Sequence, residues 1–448
     1  MPTSPRTPST SRGSVADVPC LDRAPPGSVA SGGIVRKVSY VLAEGTDTRV
    51  EQTYAAGTPS LLRAINERTL LDLIRRLGPV SRAQLARDSG LSKPTVSLAL
   101  QTLETARLVR RAGRSSGGKG PTAVLYELNP RAGWVVGIDI GRSYLRAAIA
   151  DLTGDIVARR DEPARVRSAD TLIRQVGDIA HGLAAEAGFR WRQVTFAVVG
   201  SPGVFEPSRG QVALAHNLPG WGRQGLVEAV QRELGTNVGF ENDVNLATIG
   251  ERWKGLGDGV ANFVYLHVGT GVGMGLVLNG ELHRGTSGAA GEIGYLPLAA
   301  ADPHDAANRR RGALEATIGA AGVVATARRL GVRPPLTPKG VFAAARRGDD
   351  RALSVVASVA EGIALAIAAI VPVVDPELVV LGGGIGGNGD LLLEPIEREL
   401  RTLSPFSPRI EVSPLGEDAT VLGAVAMARE AAQDLLFERG AAARTKAG

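Results

Sequence analysis

Apolar positions first become periodic at Leu61: Leu61, Leu62, Ile65, Leu70, Leu71, Ile74 and Leu77 recur near every 3.6 residues, and Gly78-Pro79 closes the run. This spacing predicts an amphipathic helix with its stop signal. In Ser81-Arg-Ala-Gln84 a hydroxyl stands three residues before a glutamine, which predicts a capping box opening a short helix that ends near Asp88. Gly90 supplies a turn tolerant of positive φ, and Ser92 with Pro94 in the first turn opens another helix to about Ala106. Small Ala86, Gly90 and apolar Val96 stand where two helices must approach closely, the pattern of a helix-turn-helix. Arg107 to Arg111 and Thr122 to Leu128 then read as two strands around a glycine-rich, cationic tip, as a wing that touches phosphates requires. The whole predicts a winged helix-turn-helix over about residues 60 to 128.

Beyond Asn129-Pro130 the pattern changes to strands, helices and glycine turns in alternation, the mark of an α/β domain. Residues 135–154 read as strand, glycine turn, strand, and residues 263–280 repeat the scheme. Turns without bulky side chains let backbone N–H groups approach a phosphate. A third glycine cluster follows the apolar strand that begins at Leu378. The expected layout is a tail over 1–58, a reader over 59–129 and an α/β domain over 130–440. The tail is rich in Ser, Thr, Pro, Gly and Ala and is expected to be mostly disordered, with one candidate strand from Ile34 to Leu42.

Charge adds a direction. Residues 1–130 carry 18 Lys and Arg against 10 Asp and Glu, whereas 131–448 carry 33 against 35. A basic front on a near-neutral body is the footprint of a part that meets a polyanion joined to a part that does not. On the second helix of the motif, Lys93, Thr95, Ser97 and Gln101 are placed to face a major groove, with the cap Ser92 beside them. Arg82, Arg114 and Lys119 suit backbone phosphates. The single cysteine, Cys20, fits a reducing cytoplasm, and the apolar run from Ile363 to Val374, interrupted by Pro372, is too short to span a bilayer.

Eight motifs in order make the chain resemble the ROK family of repressors and sugar kinases: Gly137-Ile-Asp-Ile-Gly141, Gly200-Ser-Pro-Gly203, Asn217-Leu-Pro-Gly-Trp221, Glu241-Asn-Asp-Val-Asn245, Gly269-Thr-Gly271, Gly291-Glu-Ile-Gly294, Leu314-Glu315 and Leu381-Gly-Gly-Gly384. The resemblance implies a two-lobed actin and sugar-kinase-like domain after the winged reader. It implies Asp243 as the base that takes a proton from a sugar hydroxyl, and Asn217, Asn242, Asp243, Glu292, Tyr295 and Glu315 around the sugar. It also implies a nucleotide site at Asp139, Gly141, Ser143, Gly269, Thr270, Gly271, Gly382, Gly383 and Gly384. At Asp243 the residues themselves also allow a helix N-cap after the strand Val238 to Glu241.

The departures from the family pattern matter as much. Arg142 and Ser143 replace a glycine and a threonine, so a guanidinium arm is expected to crowd ATP. The family's zinc ligands, a histidine and a cysteine cluster, correspond to Tyr295, Ala306, Asn308 and Ala313, and His304 stands alone, so no structural zinc is expected. Tyr295 stands where relatives use a histidine against the sugar. The leading expectation is therefore a cytoplasmic, sugar-responsive repressor that needs no cofactor. It would bind a double-stranded operator as a homodimer or dimer of dimers, with no membrane partner. The rival is a sugar kinase using ATP and magnesium, with an accessory DNA-binding region. Because the reader carries the positive charge, its affinity for DNA should fall roughly 10³-fold or more between about 50 and 200 mM salt, measured by fluorescence anisotropy; a flat salt profile would contradict the charge footprint.

Overall fold

The computed structural model describes residues 59–115, 122–206, 210–213, 215, 218–298, 302 and 304–447. The tail 1–58, Lys119 at the wing tip and Asn217 lie outside the described residues. The chain opens with α1 (Pro59–Leu77), β1 (Val80–Ser81), α2 (Arg82–Ser89), α3 (Lys93–Thr105), β2 (Val109–Arg114) and β3 (Val124–Leu128). The three strands form one antiparallel sheet in the order β1-β3-β2. Leu70, Leu71, Ile74, Leu85, Val96, Leu100, Leu103 and Tyr126 make its core, whereas Leu62, Ile65 and Leu77, periodic in the sequence of α1, are exposed.

The caps fall where expected. The Ser81 hydroxyl accepts from the Gln84 N–H at 3.2 Å, Gly90 takes φ 69°, and the Ser92 hydroxyl accepts from the Thr95 N–H at 3.3 Å. The capping box is only half made. Gln84 Nε2 turns down the helix to Asp88 at 2.7 Å, because an ionised carboxylate one turn on is a stronger acceptor than a return bond to the cap offers. The first wing strand begins at Val109 and not at Arg107, since Arg107 takes φ 58° in the turn after α3.

The first lobe holds β4 (Trp134–Ile140), β5 (Tyr144–Asp151), β6 (Ile156–Pro163), α4 (Ala169–Glu186) and β7 (Val194–Ser201). It continues with the short pair β8 (Val204–Glu206) and β9 (Gln211–Ala213), α5 (Leu226–Leu234), β10 (Asn237–Asn242) and α6 (Asp243–Lys254). The second lobe holds β11 (Phe263–Val268), β12 (Val272–Leu278), β13 (Glu281–Leu282), α7 (Ala306–Arg311), α8 (Ala313–Ile318), α9 (Ala320–Leu330), α10 (Pro338–Arg346) and α11 (Asp350–Val374). It closes with β14 (Leu378–Gly382), α12 (Gly383–Gly386), α13 (Gly389–Leu403) and β15 (Arg409–Val412).

The sheets run β10-β7-β4-β5-β6 and β13-β12-β11-β14-β15. Each is therefore a three-strand antiparallel meander extended by two parallel strands on the side of its first strand. The two similar glycine-turn segments are the leading hairpins of these matching sheets.

Pro372 does not break α11, which continues through it to Val374 and ends at Asp375 with φ 48°. A proline in a helix's last turn removes one bond near an end that is already losing partners. By length and composition α11 could cross a membrane, yet Val355, Val359, Ile363, Ile367 and Ile370 are buried in the second-lobe core.

The last helix, α14 (Ala419–Ala447), returns to the first lobe and crosses α6. The crossing is close enough that a Cβ on Gly423 would overlap the Leu246 carbonyl and lie 3.0 Å from the Gly250 nitrogen. Gly423→Ala should therefore lower the melting temperature by roughly 3 to 10 °C, read by differential scanning calorimetry. An unchanged melting temperature would mean that the crossing is looser than described.

Candidate functional site

Parallel strands deliver their carboxyl ends to one edge of a sheet, and side chains just beyond those ends converge. In the first lobe β4 brings Asp139, 6% exposed, and β10 brings Asn242 and Asp243. The second lobe contributes Glu292 and Glu315, and Glu315 is fixed by accepting the Val272 N–H at 3.1 Å. These carboxylates feel one another. Burial first, and then repulsion from Asp243, push Asp139 up to about 7 despite Arg146. Burial, Asp243 and Glu315 likewise push Glu292 up to about 7. Asp243 is itself raised by burial, against the opposing pull of His267 and a backbone N–H.

The cap of α6 is Asn242, not Asp243. Asn242 Oδ1 accepts from the N–H groups of Val244 and Asn245 at 2.9 and 3.0 Å, while its Nδ2 donates to the Gly203 carbonyl at 3.0 Å. A neutral amide can accept and donate at once, so it ties the helix start to the Gly-Ser-Pro-Gly turn. Asp243 occupies the first helical position, with one oxygen accepting the Val244 N–H at 2.9 Å, where the helix dipole favours its charge.

The first glycine turn also differs from expectation. Arg142 and Ser143 are exposed; the guanidinium that enters the site is that of Arg146, which lies 3.4 Å from Asp139 Oδ2 and also pairs with Glu417. Arg146 faces Asp139 across the antiparallel register, whereas Arg142 lies in the turn before β5. Gly269, Thr270 and Gly271 form the second turn, and Gly382, Gly383 and Gly384 the third. A Cβ at Gly382 would collide with the Tyr265 ring, so that glycine serves packing. Sequence reasoning passed over Arg146 and His267 because both lie inside strands beside the motifs. Their signal was a guanidinium or an imidazole on an otherwise apolar strand.

Tyr295 is 39% exposed, and its hydroxyl donates to the Arg310 carbonyl at 3.2 Å. Ala306, Asn308 and Ala313 offer neither thiolate nor imidazole, so the family's zinc chemistry does not fit these residues. An open hollow of about 820 Å³ lies at residues 162–167 and Thr171, and neither Asp139, Asp243, Glu292 nor Glu315 lines it.

In the reader, Lys93 and Gln101 of α3 are exposed and Thr95 and Ser97 half-buried. The Ser92 hydroxyl is spent on its cap and on Thr95 Oγ1 at 2.8 Å. Arg82 lies 3.5 Å from the Ser97 hydroxyl and 5.7 Å from the centre of the Tyr126 ring, while Arg114 stands exposed at the end of β2. Leu98, half exposed on α3, was missed. It is the apolar residue that falls outside the helix's buried positions.

Residues 135–431 match the ROK family model, and residues 61–113 match the IclR helix-turn-helix domain. The chain belongs to the ROK family. It is 28% identical over 390 residues to a xylose repressor of Caldicellulosiruptor bescii, covering 83% of this chain and 97% of that one. A glucokinase of Halalkalibacterium halodurans is 32% identical over 313 residues, 65% of this chain and 93% of its own. Among solved structures, a ROK family transcriptional regulator described as a homologue of the E. coli MLC protein superposes with a TM-score of 0.71. It is 23% identical and covers 85% of this chain and 99% of its own, so both the reader and the two lobes share its fold.

The raised Glu292 yields a pH signature. Its folded pKa of about 7 exceeds the ordinary 4.5, so the folded chain holds an extra proton between those values, and stability falls as pH rises through them. Glu292→Gln should melt close to the parent near pH 4.5 and above it at pH 8, by scanning calorimetry at both pH values. An equal offset at both would remove the charge as the cause.

Proposed function

We propose that this ROK chain is a DNA-binding transcriptional repressor whose two-lobed domain responds to a sugar or sugar derivative. The observation that carries it is the continuous α14, which joins the acid cluster to the reader. At its start the Thr420 hydroxyl donates to the Asp243 carbonyl at 3.4 Å; towards its end Asp434 takes Arg68 at 2.8 Å and Arg75 at 3.1 Å, and Leu436 and Phe437 pack on the reader's core. Thr420 and Phe437 are 17 positions apart, about 26 Å of helix. The xylose repressor's span, which includes the reader, supports the repressor reading over the glucokinase likeness, which leaves a third of this chain unmatched.

In this reading Glu292, Asp243, Glu315, Asn217, Asn242 and Tyr295 hold the sugar hydroxyls. Ligand shifts the population of lobe closure, and closure acts through α14 on the reader. Two readers in a homodimer meet half-sites about 34 to 36 Å apart, so a small rotation costs affinity. Lys93, Thr95, Ser97 and Gln101 face base edges, and Arg82, Arg114 and Lys119 the phosphates. The reader ends near residue 129, and the protein works in the cytoplasm.

The kinase reading draws on Asp243, positioned at the start of α6 as a base would be. ATP and magnesium enter only there. Gel shifts on DNA flanking the protein's own gene, with and without a panel of hexoses, pentoses and amino sugars, should show sequence-preferring binding that one sugar class weakens at least tenfold. Sugar-dependent ADP release that Asp243→Asn abolishes, together with indifference to promoter DNA, would overturn the repressor reading.

A further inference from the structure

The strand β11 carries His267 at its penultimate position, two residues before the second glycine turn, and its half-buried imidazole lies between two glycine turns. A Cβ built on Gly269 would lie 2.7 Å from His267 Nε2, and one built on Gly383 would lie 3.0 Å from His267 Cε1. At Gly269 the missing side chain makes room for the ring; at Gly383 it makes room for the Val268 carbonyl, 2.5 Å from that Cβ, as well as the ring. The neighbouring N–H groups are also engaged within the chain. Gly269 donates to the Gly271 carbonyl at 2.9 Å, Val272 to Glu315 at 3.1 Å, and Gly141 to the Tyr144 carbonyl at 3.0 Å. In the first turn, Asp139 already has the Arg146 guanidinium at 3.4 Å, where phosphoryl transfer needs a carboxylate free for a metal ion.

We propose that His267 closes the phosphate cleft between the second and third glycine turns, so that the pocket takes an unphosphorylated sugar with no nucleotide beside it. The proposal rests on the sugar-responsive reading and assigns the specificity of that site. Burial holds the imidazole below its ordinary pKa of 6.5, against the pull of Asp243, so at neutral pH the ring brings bulk without a full positive charge. The Asp243 carboxylate, whose charge is felt by the imidazole, opposes a phosphate as well.

The test uses the full chain, with binding of magnesium-ADP and of a non-hydrolysable ATP analogue measured by calorimetry. The parent should bind neither measurably. His267→Ser, which opens the gap, should gain at least tenfold in affinity for both, and His267→Asn, which keeps much of the bulk, should stay close to the parent. Operator affinity is measured on each variant as the check that it is folded. Nucleotide binding by the parent as tight as by His267→Ser would overturn the proposal, as would no gain in a His267→Ser protein that still binds its operator. If the serine variant fails to fold, the parent decides alone: micromolar nucleotide binding sinks the proposal, and its absence alongside sugar binding sustains it. Loss of the sugar response on DNA with the serine gain intact would instead count against the regulatory reading and leave the closed cleft standing.

Discussion

The structure depends on one helix crossing. Where α14 passes over α6, Gly423 and Gly250 bring two backbones together with no side chain between them, and the Val421 and Val425 backbones also lie against Gly137 of β4. A contact built from backbone atoms cannot be relieved by a rotamer change, so α14 and α6 move as one body or not at all. That body carries Asp243 at one end. Further along, Gln433 donates to the Leu152 carbonyl at 2.7 Å and Arg429 to the Thr153 carbonyl at 3.2 Å, so the first-lobe sheet is bound to it too.

The same helix belongs to a second core. Asp434 binds two arginines of α1, and Phe437 lies 5.9 Å below the Arg68 guanidinium, in contact with the cluster that holds Leu70 and Ile74. The linker is tied on the other side. Asn129 donates to the Arg107 carbonyl at 2.8 Å, and the Leu152 N–H donates to the Pro130 carbonyl at 3.3 Å. The reader thus rests on the first lobe through a helix and a short turn, each fixed by hydrogen bonds. These ties end on α1, which packs directly on α3.

Much of this was legible in the sequence, because local chemistry decided it. The caps at Ser81 and Ser92, the left-handed Gly90 and the wing strands depend on residues within a few positions of one another. What was illegible depended on partners far along the chain. Arg142 stands in the motif, yet Arg146 reaches Asp139, since the antiparallel register of β4 and β5 sets those two residues opposite each other. Asp243 and Asn242 both suit a cap, and the choice fell to Asn242 because Gly203, 39 positions earlier, needed a donor. His267 was invisible as a site residue until β11 and β14 were paired, which placed Gly382 opposite it.

The acid cluster then sets what any ligand must do to be felt by the reader. Carboxylates held up at about 7 by burial and mutual repulsion store an electrostatic cost that grows as pH rises above the ordinary carboxylate range. In the proposed reading, a sugar whose hydroxyls donate to these groups would stabilise their charged forms, most of all where Glu292 and Glu315 of the second lobe lie near Asp243 of the first. Such a ligand interacts differently with the open and closed arrangements, which is the requirement for shifting their populations. Asp243 starts α6, α6 is locked to α14, and α14 carries Asp434. In the proposed repressor reading, this is the route by which a small molecule's preference for one spacing of carboxylates would become a preference for one placement of the reader.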